Sequence, residues 1–300
     1  MDTADRTVGF IGVGMMGGLM AQRLLQHGIG VIAYDRNAQV LAELVTHGAR
    51  AAASALEVAN QCAIVFACLP TPEICRAVAL GSEGVHAGRA LKIYIETSTL
   101  GGAVAVEIAE GLAAKNIAFI DCPVVGGTVS VANGQLGVLA AGPKAAFERA
   151  KFALDALAGK LFHLGETAGM GQAGKVMNNA ITYAGFLATC EAVCVGLKAG
   201  LDLDTAIAII NQGSGSTFWS QRVFPNMILK GIFEGTGAIE IGQKDVKLFI
   251  EEARARGLDT TMADAVSAFQ QRIVAAGEPG RDTLQTLHYF TDMAGLPRQG

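Results

Sequence analysis

Two polar side chains in an otherwise apolar segment, Lys175 and Asn179, have the chemical types and the spacing expected of a proton-transfer site. Residues four apart share one face of a helix, and the segment around this pair has helical periodicity. Loss of hydration among apolar neighbours lowers the pKa of a lysine, so its amine can exchange a proton with a substrate hydroxyl near neutral pH. The asparagine amide can hold the same oxygen by hydrogen bonding. The spacing alone leaves a second interpretation open, in which the lysine is solvated near a helix start and the backbone satisfies the asparagine.

A second polar pair, Lys244 and Asp245, lies in the apolar helical segment 241–250. By itself, such a pair is most often an ion pair at the surface, which adds little stability. The six cysteines show no Cys-x-x-Cys spacing and no nearby histidine ligands. Cys190 and Cys194 share a helix face, but two thiols do not make a zinc site. The sequence therefore predicts reduced, packed cysteines and no metal site.

Three glycines stand between a short apolar run and an apolar helical segment with the spacing Gly-x-Gly-x-x-Gly. In a dinucleotide-binding fold, the first glycine allows a tight turn off the strand, the second lets the backbone approach a pyrophosphate, and the third lets the helix pack on the strand. Free N–H groups at the helix start then face the phosphates. The predicted phosphate loop consists of Gly12, Val13, Gly14, Met15, Met16 and Gly17.

An acidic residue, Asp35, follows the predicted strand 30–34, about twenty residues after the glycines. In a Rossmann fold, an acid at this place accepts hydrogen bonds from the ribose hydroxyls of NAD. A 2′-phosphate would put two negative groups side by side, which is unfavourable. Arg36 acts in the other direction, because a guanidinium can clamp that phosphate or lie along the adenine face. The sequence thus predicts NAD as the cofactor and leaves NADP possible.

Elements that could position these residues alternate between strand and helix as far as residue 164, with the last two strands at 136–141 and 161–164. From Gln172 onward the periodicity predicts helices only. This shift predicts an α/β fold class, in which an N-terminal Rossmann domain with a doubly wound sheet (residues 1–164) is joined to a C-terminal all-α domain (residues 165–300).

Composition and charge limit the partners that the chain could bind. The net charge of −4, without a basic run, argues against nucleic acid. The first six residues lack a charged-then-apolar signal sequence, which predicts a cytoplasmic protein. The longest apolar stretch, 180–199, is interrupted by Glu191 and Lys198 and predicts a buried helix rather than a membrane span. A further single helix is predicted at 216–229.

Taken together, these motifs resemble the β-hydroxyacid dehydrogenase family over nearly the whole chain. The matching motifs, in the family's order, are Gly9–Gly17, Leu69-Pro70, Ser98-Thr99, Pro123–Gly127, Lys175 with Asn179, and Lys244-Asp245. Several motifs in one order are far more specific than any of them alone.

The resemblance implies reversible oxidation of a small β-hydroxy acid to its semialdehyde or oxo acid, with NAD or NADP taking the hydride. Lys175 falls on the family's catalytic lysine and Asn179 on its partner asparagine. The implied cofactor contacts are Leu69, Pro70, Thr99 and Lys244, and the implied substrate-binding residues are Val125, Gly126 and Gly127. The family also implies a homodimer or homotetramer, assembled through the long apolar helix after Lys175.

Some positions depart from the family pattern. Val125 stands where the family has a serine, which removes a hydroxyl that would help to hold a substrate carboxylate, and Glu96 stands where the family has an aspartate. The Val125 change prevents the transfer of any particular family substrate to this chain. Two alternatives to the dehydrogenase also stay open: an imine reductase-like enzyme, which shares this architecture, and a non-catalytic NAD(P)-binding protein. Relatives of both kinds generally lack the lysine, so Lys175 argues against them.

Overall fold

The computed structural model describes residues 6–298. Residues 1–5, which include most of the segment behind the prediction of a cytoplasmic protein, lie outside the described part, as do residues 299–300. The described chain forms two compact units that divide between Lys175 and Val176. This division lies further along the chain than the predicted boundary at 164, because a helix that begins at Met170 has its first turn and a half in the first unit.

Six parallel strands form the central sheet of the first unit, in the order β3-β2-β1-β4-β5-β6. The strands are β1 (Thr7–Ile11), β2 (Gly30–Tyr34), β3 (Arg50–Ala51), β4 (Ile64–Ala67), β5 (Ile93–Glu96) and β6 (Ala118–Asp121). The order reverses between β1 and β4, as in a Rossmann fold, which confirms the predicted doubly wound sheet. The two-residue β3 is absent from the sequence prediction, since so short a strand carries no periodicity.

Helices connect successive strands of this sheet: α1 (Met15–Gln26), α2 (Ala38–Thr46), α3 (Ala55–Gln61), α4 (Pro72–Leu80) and α5 (Gly102–Ala113). Side chains cap the N-termini of α2, α3 and α4: Asn37, Ser54 and Thr71 each accept a hydrogen bond from a backbone N–H in the first turn. Two clusters of buried apolar side chains fill the space between sheet and helices. The buried Phe10 and Phe66 stack within one of them, with ring centroids 5.8 Å apart.

A separate sheet of three strands follows the Rossmann sheet in the first unit, in the order β7-β8-β9. Its elements are β7 (Val124–Val125), α6 (Thr128–Ala132), β8 (Leu136–Ala140), α7 (Lys144–Leu157) and β9 (Ala158–His163). The sequence predicts β8, α7 and part of β9, but it misses β7 and α6 because the glycines between them resemble a loop. β7 is antiparallel to β8, and β8 is parallel to β9.

The second unit is helical, as the sequence predicts, apart from one isolated bridge between residues 238 and 282 in the part that the structure describes. Its helices are the main part of α8 (Met170–Lys198), then α9 (Leu203–Gln212), α10 (Phe224–Asn226), α11 (Ile239–Ala255), α12 (Thr261–Ala275) and α13 (Thr286–Met293). A buried cluster around Phe186, Trp219 and Phe224 forms its main core.

The prediction of a single helix at 216–229 is wrong. The segment is a π-helix (Trp219–Val223) that continues directly into the short α10, followed after Met227 by a 3₁₀ turn (Ile228–Lys230). Pro225 lies within this segment and has no N–H to donate to an α-helical ladder, and the helical run ends two residues later at Met227.

The long helix α8 differs from the prediction of a buried helix. Only 28% of its most apolar 18-residue stretch is buried, and the helix is long and apolar enough to cross a membrane. Three large apolar side chains on it, Met177, Ile181 and Val195, are 57%, 71% and 67% exposed. The apolar run that suggested burial is therefore shared between a core-facing side, which carries Phe186 and Cys190, and a side open to solvent.

All six cysteines are free thiols; Cys68 is half-buried and the other five are buried. Burial raises the pKa of the Cys62 and Cys68 thiols to about 11, so little thiolate exists at neutral pH. Burial also raises the pKa of Cys190 well above its ordinary value.

Candidate active site

The glycine loop makes a turn that only glycine allows at its first and last positions. Gly12 has φ +83°, and a Cβ on it would lie 2.2 Å from the carbonyl oxygen of Cys68. A Cβ on Gly17 would lie 1.9 Å from the carbonyl oxygen of Gly12. Both distances are far below van der Waals contact, so the strand-to-helix turn and the close helix packing depend on these two residues.

Gly14 faces open space. It precedes α1 as the N-cap, no side chain caps that helix start, and a Cβ on Gly14 would meet nothing within 4 Å. The first N–H groups of a helix have no partner within the helix. Here those of Met15 and Met16 begin α1 without a cap, whereas the Gly17 N–H is hydrogen-bonded to the Cys68 thiol. Uncapped donors beside an unfilled space at a positive helix end fit a pyrophosphate, so these residues suit a dinucleotide.

Asp35 lies at the end of β2, beside the glycine loop. Its Oδ2 accepts a hydrogen bond from Val13 N at 2.7 Å, and its Oδ1 accepts one from Asn37 N at 2.8 Å. These two bonds fix the carboxylate, and each oxygen keeps a further lone pair for a ribose hydroxyl. Arg36 is exposed beside it.

A backbone-to-side-chain hydrogen bond joins the loops after β4 and β5. Leu69 N donates to Ser98 Oγ at 2.6 Å, which ties the Leu69-Pro70 segment to the segment that carries Thr99. Leu69 and Thr99 are half-buried and Pro70 is exposed. Because the carboxyl ends of parallel strands lie at one edge of a sheet, both segments share that edge with the glycine loop and Asp35.

A fully buried carboxyl group, Glu96, lies beneath these loops. Its Oε1 accepts hydrogen bonds from Ser98 Oγ at 2.5 Å and from Ser98 N at 3.0 Å, and its Oε2 accepts one from Tyr94 Oη at 3.2 Å. Burial raises the pKa of Glu96 to about 7, although these donors act against the shift. Glu96 therefore holds the serine hydroxyl that in turn holds Leu69.

A second buried carboxyl group, Asp121 at the end of β6, fixes the start of α8. Its Oδ2 accepts hydrogen bonds from the backbone N–H groups of Gly169 and Gln172, both at 3.0 Å. Burial raises the pKa of Asp121 to about 6. A Cβ on Gly171 would lie 2.7 Å from the carbonyl oxygen of Leu139, so the helix start lies directly against β8.

Lys175 follows in the next turn of α8 and is half-buried. The hydrogen bonds of Asp121 thus place the lysine's helix against the carboxyl end of β6, in the same unit as the glycine loop. Asn179 is one turn further on the same helix face, within the second unit.

Asn179 is buried and belongs to a polar group in the second unit. Its Nδ2 donates to Asp245 Oδ2 at 2.7 Å, and Lys244 Nζ lies 3.1 Å from Asp245 Oδ1. The interpretation of Lys244 and Asp245 as a surface ion pair is wrong, since only 5% of the Asp245 side chain and 24% of the Lys244 side chain are exposed. The aspartate fixes which way the Asn179 amide points.

Val125 packs into the space above Gly137, which has no side chain. It pairs with Gly137 of β8, and a Cβ on Gly137 would lie 2.4 Å from Val125 Cγ2. Gly126 has φ +114°, where a Cβ would lie 2.7 Å from that of Ser130, whereas a Cβ on Gly127 would meet nothing within 4 Å. The two glycines thus expose backbone beside the valine.

Three buried polar residues of this arrangement have roles that the sequence does not predict: the Ser98 hydroxyl, Asp121 and Gln172. The available signal was a glutamine among the glycines at the start of an otherwise apolar helix. Among residues 6–298, no group of three or more His, Cys, Asp or Glu side chains could hold a metal ion.

Two family models match the chain. The NAD binding domain of 6-phosphogluconate dehydrogenase matches residues 7–165, and the NAD-binding domain of NADP-dependent 3-hydroxyisobutyrate dehydrogenase matches residues 169–290. These matches confirm the family resemblance and the use of NAD(P).

Individual relatives match over nearly their full lengths. An L-threonate dehydrogenase of Cupriavidus necator is 29% identical over 287 residues, covering 95% of this chain and 96% of that protein. A 3-hydroxyisobutyrate dehydrogenase of Pseudomonas aeruginosa is 31% identical over 256 residues, covering 83% and 85%. The crystal structure of a 3-hydroxyisobutyrate dehydrogenase from Salmonella typhimurium superposes with a TM-score of 0.85 at 29% identity, covering 94% of this chain and 99% of that one. The chain therefore belongs to the β-hydroxyacid dehydrogenase family and is an NAD(P)-dependent hydroxyacid dehydrogenase.

Proposed function

We propose that the protein interconverts a small β-hydroxy acid and its semialdehyde or oxo acid, with Lys175 as general acid and base. The observation that carries this proposal is the anchoring of the lysine's helix, through Asp121, to the carboxyl edge of the nucleotide-binding sheet. A half-buried amine at that edge has reach to a substrate bound there.

Each residue of the site has a separate task in this proposal. Bound nicotinamide supplies a hydride acceptor or donor. Lys175 takes the hydroxyl proton during oxidation and returns it during reduction. Asn179 orients the same oxygen, and its bond to Asp245 supports the role because it leaves the second hydrogen of Nδ2 to donate.

The substrate end of the site is less polar than a serine would make it. The backbone N–H groups of Gly126 and Gly127 remain to hold a carboxylate, while Val125 presents methyl groups. Because a buried hydroxyl is missing here, we propose a substrate that is bulkier or less polar at this end than 3-hydroxyisobutyrate.

We propose NAD as the preferred cofactor. The carboxylate of Asp35 is fixed beside the glycine loop, where a 2′-phosphate would meet a negative charge. The exposed Arg36 would favour NADP, so the ratio of the two activities measures which side chain dominates.

We propose further that a second copy of the chain covers the exposed side of α8. Met177, Ile181 and Val195 are spaced so that all three lie within one quarter of the helix circumference and form an apolar stripe, which the exposed Glu191 interrupts between Ile181 and Val195. Such stripes mark interaction surfaces, and a homodimer or homotetramer would remove this one from water.

The proposed location is the cytoplasm. All six cysteines are free thiols, which suits a reducing compartment. Fractionation of the native host, with the protein detected by antibody, would test this.

Kinetics of Lys175→Ala test the main proposal. Oxidation of NADH and NADPH is followed with a panel of semialdehydes, oxo acids and imines, and cofactor affinity is followed by fluorescence. Loss of a general acid or base typically lowers turnover by about 10²–10⁴-fold, and we expect that loss with nearly unchanged cofactor affinity. Lys198→Ala, at the exposed end of the same helix, is the matched control.

Three outcomes would contradict the proposal. Turnover of Lys175→Ala within a few-fold of the wild type would remove the lysine from catalysis. Reduction of imines in preference to carbonyl compounds would favour an imine reductase. Tight cofactor binding with no turnover of any panel member would favour a non-catalytic protein.

A further inference from the structure

Gln172 is a fully buried amide whose hydrogen-bonding groups are all engaged. Its Oε1 accepts from Leu100 N at 2.9 Å and from Gly101 N at 3.2 Å. Its Nε2 donates to Ser98 O at 3.1 Å and to Asp121 Oδ1 at 2.7 Å. An amide has two acceptor positions and two donor hydrogens, so this side chain is saturated and has one possible orientation.

The partners of Gln172 lie on both sides of Thr99. Ser98 supplies the carbonyl before it and Leu100 the N–H after it, so one side chain spans the threonine. This arrangement fixes the backbone of a residue that the family pattern assigns to the cofactor.

Gln172 also lies three residues before Lys175 on α8. At about 1.5 Å of rise per residue, the two positions are separated by about 4.5 Å along the helix axis. The backbone N–H of Gln172 donates to one oxygen of Asp121 and its side chain donates to the other. These two bonds fix this turn of the helix both around and along the helix axis.

We propose that Gln172 is a positioning residue, which sets the place of Lys175 relative to the Thr99 segment by bonding one helix turn to both sides of the threonine. The inference rests on the proposed catalytic role of Lys175. A misplacement of about 1 Å in a reacting group can cost about 10²-fold in rate, so loss of this link lowers turnover without removing any reacting group.

A merely structural crosslink would give a different result. Gln172 joins three segments of the first unit, and its removal would lower thermal stability in either case. Only a positioning role also changes the chemical step in protein that is still folded.

Two substitutions test the inference. Gln172→Met keeps the approximate shape and the backbone hydrogen bond to Asp121, and it loses all four side-chain hydrogen bonds. Gln172→Glu keeps the acceptor for Leu100 and Gly101 but loses the donors, and it places a second carboxylate against Asp121. Gln270→Met is the matched control, because Gln270 is a buried glutamine on α12 of the second unit, 3% exposed.

For Gln172→Met we expect kcat to fall about 10–100-fold, at a temperature where the variant is folded, with a much smaller change in cofactor affinity. The primary isotope effect with deuterated nicotinamide cofactor should rise, because a slower chemical step controls more of the overall rate. For Gln172→Glu we expect activity to recover, relative to the wild type, as the pH falls. Two adjacent buried carboxylates then share a proton, which restores a donor. The titratable groups facing it are Asp121 directly and Glu96 through Ser98.

The inference would be overturned if folded Gln172→Met had the kcat and the isotope effect of the wild type. It would also be overturned if the activity of Gln172→Glu depended on pH in the same way as that of the wild type. An equal loss of kcat in Gln270→Met would also overturn it, because any buried glutamine would then have the same effect. Lys175→Ala separates the two proposals. If that variant stays active, the proposed function fails; if it is inactive while Gln172→Met is normal, only the positioning role fails.

Discussion

Replacing Glu96 with glutamine should flatten the dependence of stability on pH. Glu96 is fully buried, and burial raises its pKa from 4.5 to about 7. Between those two pH values the folded state binds more protons than the unfolded state, so stability falls as pH rises and the loss is complete above the folded-state pKa. The amide introduced by Glu96→Gln would keep an acceptor for Ser98 and carry no titrating group.

The size of this effect follows from the same pKa values. A pKa raised from 4.5 to about 7 corresponds to about 3 kcal/mol of folding free energy. For a unit of this size, about 1 kcal/mol moves Tm by roughly 2–4 °C, so the wild type should lose roughly 6–12 °C across that range because of Glu96. Asp121, whose pKa is raised to about 6, acts in the same direction, but it is present in both proteins and cancels in the comparison.

Scanning calorimetry of the protein without cofactor, at several pH values from 4.5 to 8, would measure both Tm curves. The quantity compared is the slope of each curve, so a uniform loss of stability in Glu96→Gln does not affect the test. Parallel curves would refute the reasoning, because they would mean that Glu96 titrates in the folded protein as it does in the unfolded chain.

Four further outcomes are expected. Asp35→Asn should shift the ratio of kcat/KM for NADH and NADPH toward NADPH, and a wild-type preference for NADPH of about tenfold or more would contradict the role of Asp35. Val125→Ser should improve activity on 3-hydroxyisobutyrate and weaken less polar substrates; unchanged selectivity would place the side chain away from the substrate. Gly17→Ala, whose Cβ would lie 1.9 Å from the Gly12 carbonyl oxygen, should abolish cofactor binding measured by calorimetry. Ile181→Glu should reduce the oligomer measured by light scattering, and an unchanged mass, or binding of the wild type to lipid vesicles, would contradict the proposed second copy.

The parts of the site that depend on local spacing could be predicted from the sequence. The glycine loop and Asp35 follow from short motifs beside strands, because turn geometry limits which residue types can stand there. The order of strands and helices is likewise local, which is why the Rossmann sheet was predicted and the two-residue β3 was not.

Long-range contacts could not be predicted in the same way. Gln172 bonds to Ser98 across 74 residues and Asn179 to Asp245 across 66, and no periodicity connects such positions. The burial of Asp245 depends on these folded contacts, so the default of a surface ion pair failed. The prediction that α8 is buried is wrong for a similar reason, since apolar composition cannot distinguish a core helix from one with a side open to solvent.

The distribution of the free thiols makes each unit separately observable. Four of them, Cys62, Cys68, Cys75 and Cys122, belong to the first unit, and two, Cys190 and Cys194, belong to the second. Five of the six thiols are buried, the exception being the half-buried Cys68, and buried thiols react mainly in molecules in which a unit has opened. A brief pulse of reagent followed by mass spectrometry would thus count up to three labels beyond that of Cys68 for opening of the nucleotide-binding unit, and two for opening of the helical unit. The native chain can therefore report the order in which its halves unfold without any added probe.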